Sequence, residues 1–267
     1  MTVAMSLLVV RAAGLVTVQD LGRPGRMHEA VPPGGALVPG RLIAANRAVH
    51  NPDDAPAIEV LGNLVVRAEQ AIEVATDTTA RHALAAGEEL SVTSEPRRVA
   101  YLAVRGGISA PLVLGGRGAL LCAGLGGLVR AGQRLTTARL ASVSPPRAAR
   151  SPGPLEDAPI RLVDGPDPAS FAPGALDVLV SSAYRILPSS DRVGTRLDGP
   201  PLPRSTAPEV SRPMVVGAIE VPRDGKPIVL GPEHPTTGGY PVIAVVATAD
   251  LDRLFSIRLG GTVRFTR

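Results

Sequence analysis

The sequence predicts a mainly β fold of two antiparallel, barrel-like lobes with a few short helices. Three observations predict it. The 267 residues include 29 glycines and 27 prolines, and proline inside a helix removes a hydrogen bond and clashes with the preceding turn, which excludes a helical bundle. Short aliphatic runs recur behind glycine or polar breaks, the pattern of closely spaced strands in a closed or nearly closed sheet. Residues 146–159 are crowded with proline and poor in apolar side chains, a semi-rigid linker composition. That stretch divides the chain into a first lobe, 1–145, and a second, 160–267. With no tryptophan, three phenylalanines and three tyrosines, the core has to be aliphatic.

Residues 6–11 and 15–19 read as a hairpin broken at Gly14. A helix over 40–49 aligns Leu42, Ala45 and Val49 and stops at Asn51-Pro52, because a residue before proline is pushed out of the α region. Strands follow at 58–61, 64–68, 71–75, 89–93 and 99–105. Beyond the linker, a strand at 160–163 leads to a helix over 173–181. Strands return at 184–187, 215–221, 227–230 and 242–246. Thr248 stands where it can cap a last helix bearing Leu251, Leu254 and Phe255, and Gly260-Gly261 turns into a strand at 262–265. Residues 111–115 and 227–231 nearly match, an echo that suggests related lobes.

Several function classes are excluded at this level. The net charge of +4 is almost all arginine, scattered rather than clustered; Lys226 is the single lysine and Arg97-Arg98 the one adjacent arginine pair. A nucleic-acid binder would show a basic stripe with aromatics for stacking, so no nucleic-acid partner is expected. Cys122 is the single cysteine, so no disulfide framework and no thiolate metal site is expected. His28, His50, His82 and His234 show no metal-ligand spacing, and no metal site is expected. No apolar run reaches the roughly 18 residues that span a bilayer, and no basic segment precedes Leu7 as in a secretory signal. No membrane partner is expected, and the expected compartment is the cytoplasm.

Three segments concentrate polar residues beside glycines. Around residues 18–25, Gln19, Asp20 and Arg23 flank Gly22; around 189–197, Asp191 and Arg192 precede Gly194; and Thr236-Thr237-Gly238-Gly239-Tyr240 lies between Pro235 and Pro241. Gly238 and Gly239 allow positive φ and a close backbone approach to a ligand, and the hydroxyls of Thr236, Thr237 and Tyr240 offer donors and acceptors. A tight turn between strands accounts for the same residues. Asp20 with Arg23, and Asp191 with Arg192, read either as loop-holding ion pairs or as ligand clamps. His234, beside Glu233, is the one histidine suited to acid–base work. There is no catalytic triad, nucleophile elbow, P-loop or dinucleotide fingerprint.

In order, residues 18–25, Val31-Pro32 with Gly35-Ala36, 103–108, Leu114-Gly115, 123–127, 190–197, 216–221 and 236–241 resemble the carboxyltransferase subdomain B family. The resemblance runs from about Leu7 to Phe265 and implies that translation starts at Met5. It implies two cyclophilin-like β-barrel lobes and one component of a multi-chain enzyme, an ATP-dependent amidohydrolase of the 5-oxoprolinase type. Such a component opens the lactam ring of 5-oxoproline to glutamate only with partners: the subdomain-A-like B component of 5-oxoprolinase and its A component. It further implies ATP with magnesium at the assembled complex, and no biotin on this chain. The implied catalytic set is Asp20, Asp191, His234 and Tyr240. The implied substrate- and ATP-binding set is Gln19, Arg23, Gly34, Gly35, Arg192, Thr236, Thr237, Gly238 and Gly239.

Against the family pattern, Gly34 replaces a serine, Gly116, Gly118 and Ala119 replace three hydroxyl residues, and Pro235 replaces a glutamine. Those losses motivate an alternative, a non-catalytic binding or regulatory subunit that pairs with a subdomain-A-like protein. A further alternative is a carboxyltransferase component acting on urea- or allophanate-type substrates.

Overall fold

The computed structural model describes residues 5–78, 80–138, 158–205 and 209–267; the expected linker, through residue 157, lies outside them. The chain forms two compact units. One comprises Met1–Pro24 and Gly34–Pro154, the other Gly25–Pro33 and Leu155–Arg267. The segment Gly25–Pro33 therefore groups with the second unit although it lies early in the sequence.

The first unit contains β1 (Ser6–Gln19), α1 (Pro39–Ala48), β2 (Ala57–Ala68), β3 (Ile72–Thr76), β4 (Arg81–Leu84), β5 (Glu89–Thr93), β6 (Ala100–Val104) and β7 (Arg134–Thr136). Its seven strands form an open, curled sheet in the order β4-β3-β6-β2-β1-β7, with β5 also on β2. Its core is aliphatic as expected, with Leu7, Val16, Ile58, Val60, Leu64, Leu102 and Ile108 at most 1% exposed.

The expected hairpin at 6–19 is instead one 14-residue strand, β1, paired with β2 along its length. The glycine that reads as a break lies opposite Gly62 in the ladder. Both have positive φ, 89° and 132°. A Cβ on Gly14 would meet the Leu61 carbonyl oxygen at 2.3 Å, and one on Gly62 the Ala13 oxygen at 2.2 Å. The glycine pair thus lets two long strands bend together at close range. Likewise the expected strands at 58–61 and 64–68 are one strand, β2.

The second unit contains β8 (Ile160–Asp164), α2 (Ala175–Ser181), β9 (Ala183–Ile186), β10 (Gly194–Asp198), β11 (Arg212–Pro213), β12 (Ala218–Glu220), β13 (Ile228–Leu230), β14 (Thr237–Gly238), β15 (Val242–Val246), α3 (Leu251–Ser256) and β16 (Thr262–Thr266). Seven strands close a barrel in the order β10-β13-β12-β15-β8-β16-β9, antiparallel except for β8–β16. Here the few aromatics add to the aliphatic core. Tyr184 and Phe265 pack with ring centroids 6.3 Å apart, and Phe255 is 2% exposed.

Two expectations fail locally. Thr248 makes no capping bond: it opens a 3-10 turn, and Asp250, which precedes α3, gives its carboxylate to the Arg161 guanidinium. The echo at 111–115 forms no strand corresponding to β13; Leu114 takes a positive φ of 54° and Leu112 is 61% exposed.

Candidate functional site

In the first unit, the end of β1 delivers Gln19, Asp20 and Arg23 into a nest of glycines. Asp20 and Arg23 do not pair. The Asp20 carboxylate accepts the Gly22 N–H at 2.8 Å and the Arg117 N–H at 2.5 Å. The Arg23 guanidinium donates to the carbonyls of Val113, Gly116 and Gly118 at 3.0, 3.3 and 2.8 Å. Both side chains therefore pin the 110–118 loop to β1 through its backbone, which is why the expected ion pair is absent. Gln19 donates to Thr17 and to the Ala119 carbonyl.

Two of the positions that lack the family's hydroxyls, Gly116 and Gly118, have a steric reason. A Cβ on Gly118 would lie 2.7 Å from the Gln19 Oε1 and 2.8 Å from the Asp20 Oδ1; one on Gly116 would lie 2.8 Å from the Arg23 Cγ. Gly35 is equally close to the backbone of Leu21 and Gly22. Glu59 and Tyr101, both fully buried, hold the chain after Gly35. The Glu59 carboxylate accepts the Leu37 N–H and the Tyr101 O–H, and the Tyr101 oxygen accepts the Val38 N–H. Two polar atoms in this nest are buried without a partner, the Gln19 Oε1 and the Arg23 Nη1. The second lies beside Gly34, 3.8 Å from where a Cβ would stand. A buried, unsatisfied guanidinium N–H is costly in a native structure, and it is ready to receive an anionic oxygen.

In the second unit the other two segments meet. Asp191 caps its own turn, its Oδ1 accepting the N–H groups of Val193 and Gly194 at 2.9 Å. Arg192 turns inward, and its Nε donates to the Glu233 carboxylate at 2.6 Å, with 2% and 5% of the two side chains exposed. Main-chain bonds from Glu233 to Arg192 and from Gly231 to Val193 close the same junction. His234 follows, fully buried. Its Nδ1 lies 2.7 Å from the Pro235 carbonyl oxygen, which only accepts, so the neutral ring carries its proton there. The Nε2 is then a bare lone pair, buried and without a partner. Desolvation pushes the His234 pKa down, in favour of that neutral form.

The glycine-rich segment is not an isolated turn. Thr237 and Gly238 form β14 against Pro213 and Arg212 of β11, and the Met214 N–H donates to the Thr236 carbonyl. Arg212 pairs with Asp167 at 2.5 Å, and Asp167 in turn accepts the Val242 N–H. Neither Gly238 nor Gly239 takes a positive φ, contrary to expectation. Gly238 is needed for proximity: a Cβ there would lie 2.6 Å from the Glu220 Oε1 and 2.7 Å from the Met214 Cε. On the outer side Thr237 is exposed, and Tyr240, 44% exposed, is the one large aromatic at the surface among the described residues. None of the Thr236, Thr237 and Tyr240 hydroxyls is engaged in a hydrogen bond among the described residues.

Sequence reasoning passes over Glu220, Asp167 and Arg212. For Glu220 a signal exists: it is the one acid in the aliphatic run 215–221. Asp167 and Arg212 carry no signal, since they are recognisable only once β11 and β15 are seen to share a carboxylate. Among the described residues no group of three His, Cys, Asp or Glu is arranged to hold a metal, and no helix is long and apolar enough to cross a membrane.

Comparison with known proteins agrees with this architecture. Residues 29–267 match the family model of the carboxyltransferase domain, subdomain A and B. The C component of the 5-oxoprolinase of Escherichia coli (strain K12) is 34% identical over 98% of this chain and 91% of its own length. A urea amidolyase of Lachancea kluyveri is 27% identical over 96% of this chain, which spans 16% of that much longer protein. Among solved structures, TTHA0988 superposes with a TM-score of 0.86 at 30% identity. It covers all of this chain, which spans 56% of that one.

Proposed function

Because the chain belongs to the family of the carboxyltransferase domain, subdomain A and B, we propose that it is the C component of an ATP-dependent 5-oxoprolinase, active only with its A and B partners. A lactam carbonyl is a poor electrophile. Transfer of a phosphoryl group from ATP to its oxygen makes a leaving group, after which water opens the ring to glutamate. Such chemistry relies on positioned donors more than on a nucleophilic side chain. The observation that carries the reading is the set of hydroxyls on Thr236, Thr237 and Tyr240, which no hydrogen bond engages among the described residues, on a segment whose partner strand β11 is held by the Arg212–Asp167 pair. Arg23, with its buried unpaired Nη1 beside Gly34, suits an anionic oxygen of substrate or nucleotide. Asp20, Gln19, Gly35 and Asp191 act in this reading by holding backbone, Arg192 by anchoring Glu233, and His234 by offering a neutral acceptor. Magnesium would come with the nucleotide.

Coexpression with candidate A and B components, followed by 5-oxoproline-dependent ADP release, tests this directly. An assembled complex with no release above background would sink it.

Carboxyl transfer is the second reading, favoured by the amidolyase relative. In it biotin would come from another chain, because the single lysine stands in Asp224-Gly225-Lys226-Pro227, which is not a biotinyl-lysine motif. The Lys226 Nζ holds Asp198 at 3.1 Å and the Gly199 carbonyl at 2.9 Å.

A further inference from the structure

Arg23 is a buried cation with no anion beside it. Its side chain is 2% exposed, and all three of its hydrogen-bond acceptors are neutral carbonyls, those of Val113, Gly116 and Gly118. The Asp20 carboxylate is taken up by the N–H groups of Gly22 and Arg117. Among the described residues no carboxylate pairs with the guanidinium. Charges removed from water are ordinarily paired, because an uncompensated one is costly to keep. One donor is left over, the buried Nη1. The side chain is held where it stands: the carbonyls fix its Nε and Nη2, and a Cβ at Gly116 would lie 2.8 Å from its Cγ. The Nη1 faces a gap. Where a Cβ on Gly34 would stand, only the Leu120 Cδ1 at 3.4 Å and the Nη1 at 3.8 Å come within 4 Å, the glycine's own chain neighbours apart. Gly34 takes a φ of 61°, a left-handed conformation that disfavours side chains, so the backbone itself keeps the gap clear. The loop that supplies the carbonyls lies at the surface, with Pro111, Leu112, Leu114 and Gly115 exposed.

We propose that Arg23 and Gly34 form an anion subsite, in which one ionised oxygen of a carboxylate or phosphate lies against the Arg23 Nη1, over the bare Cα of Gly34. The ligand is the counter-ion that the chain itself does not supply. A guanidinium N–H only donates, so the group it takes is an acceptor, and the buried positive charge selects an ionised one. A gap left by one missing Cβ takes a single oxygen, and the rest of the ligand stays outside it. Because the guanidinium is fixed before the ligand arrives, little side-chain ordering is lost on binding. Gly34 is the specificity-determining residue, since any side chain there stands in the oxygen's place. The subsite deepens the 5-oxoprolinase reading and rests on it only for the identity of the anion: the carboxylate of 5-oxoproline and the phosphate of a nucleotide share this oxygen chemistry.

The test titrates the full chain, with its arginines carrying ¹³C at Cζ, at constant ionic strength. The probes are inorganic phosphate, 5-oxoproline and 2-pyrrolidone, which lacks the carboxylate. The Arg23 signal is the one missing from Arg23→Lys or, if that variant does not fold, the one displaced by Gly34→Ala. It should move saturably with at least one of the two anions and stay fixed with 2-pyrrolidone. Movement with 5-oxoproline alone assigns the oxygen to the substrate carboxylate, and movement with phosphate alone assigns it to the nucleotide. Gly34→Ala should weaken that binding by about 10- to 100-fold, the worth of a hydrogen bond to a charged group. Gly34→Asn, which tolerates the left-handed backbone, should weaken it as much. An Arg23 signal that stays fixed with both anions, that moves equally with 2-pyrrolidone, or whose titration is unchanged in the folded Gly34 variants overturns the proposal. An assembled wild-type complex that binds the anion without 5-oxoproline-dependent turnover overturns the 5-oxoprolinase reading instead, and the subsite stands.

Discussion

The junction that holds His234 and the glycine-rich segment makes a measurable demand on stability. Glu233→Ala removes the carboxylate opposite the Arg192 Nε, at a pair where 2% and 5% of the side chains are exposed. With water excluded, little screening reduces the loss, and breaking a buried pair costs about 3–5 kcal/mol because a charge is stranded. The main-chain bond from the Glu233 N–H to the Arg192 carbonyl survives the substitution, so the loss is one of charge rather than of register. At about 2.1 cal/mol/K of unfolding entropy per residue, this lowers Tm by roughly 12–20 °C if the second unit melts alone. If the whole chain melts together, the fall is about 5–9 °C. Differential scanning calorimetry with urea midpoints reads both the cost and the cooperativity. The partner variant Arg192→Met with Glu233→Leu removes both charges and should return to within about 1 kcal/mol of wild type. A single variant losing less than about 1 kcal/mol, or a double variant as unstable as the single, refutes the reasoning.

Gly62→Ala places a Cβ 2.2 Å from the Ala13 oxygen at a φ of 132°; strain and overpacking together should cost about 2–4 kcal/mol in urea unfolding, and a neutral result would mean β1 and β2 do not meet there. For Glu220, whose folded pKa is raised by burial, the unfolded chain releases its proton first. Wild-type stability therefore falls as pH rises through the unfolded value of about 4.5, and Glu220→Gln should be the more stable form at pH 8, with the difference vanishing near pH 4. His234 has the opposite arrangement, its folded pKa depressed by burial. The unfolded chain gains its proton first below about pH 6.5, so wild type should lose stability on acidification through that value, a slope that His234→Gln removes; an unchanged slope in Tm against pH would contradict the burial.

Much of the fold is legible locally. The strands at 89–93 and 242–246 and the helix expected over 40–49, which forms at Pro39–Ala48, follow from β-branched runs and from the Asn51-Pro52 stop, features that act within a few residues. The Thr-Thr-Gly-Gly-Tyr segment is legible for the same reason, since its chemistry lies in consecutive side chains. What escapes is whatever depends on a partner remote in sequence. Gly14 reads as a break until Gly62 is seen across the ladder. Asp20 and Arg23 read as a pair until the 110–118 loop offers them backbone instead. The near-identical stretches at 111–115 and 227–231 separate completely, because only the second finds neighbouring strands on both sides.

The sequence by itself determined that the protein is mainly β, that its family is a carboxyltransferase one, and which segments hold the candidate polar groups. Each is a matter of residue type and local spacing. Only the tertiary structure decided that Arg192 answers to Glu233 and that Gly238 is small because the Glu220 Oε1 lies where its Cβ would point. Burial and pairing are properties of what the folded chain brings together, and no local pattern encodes them.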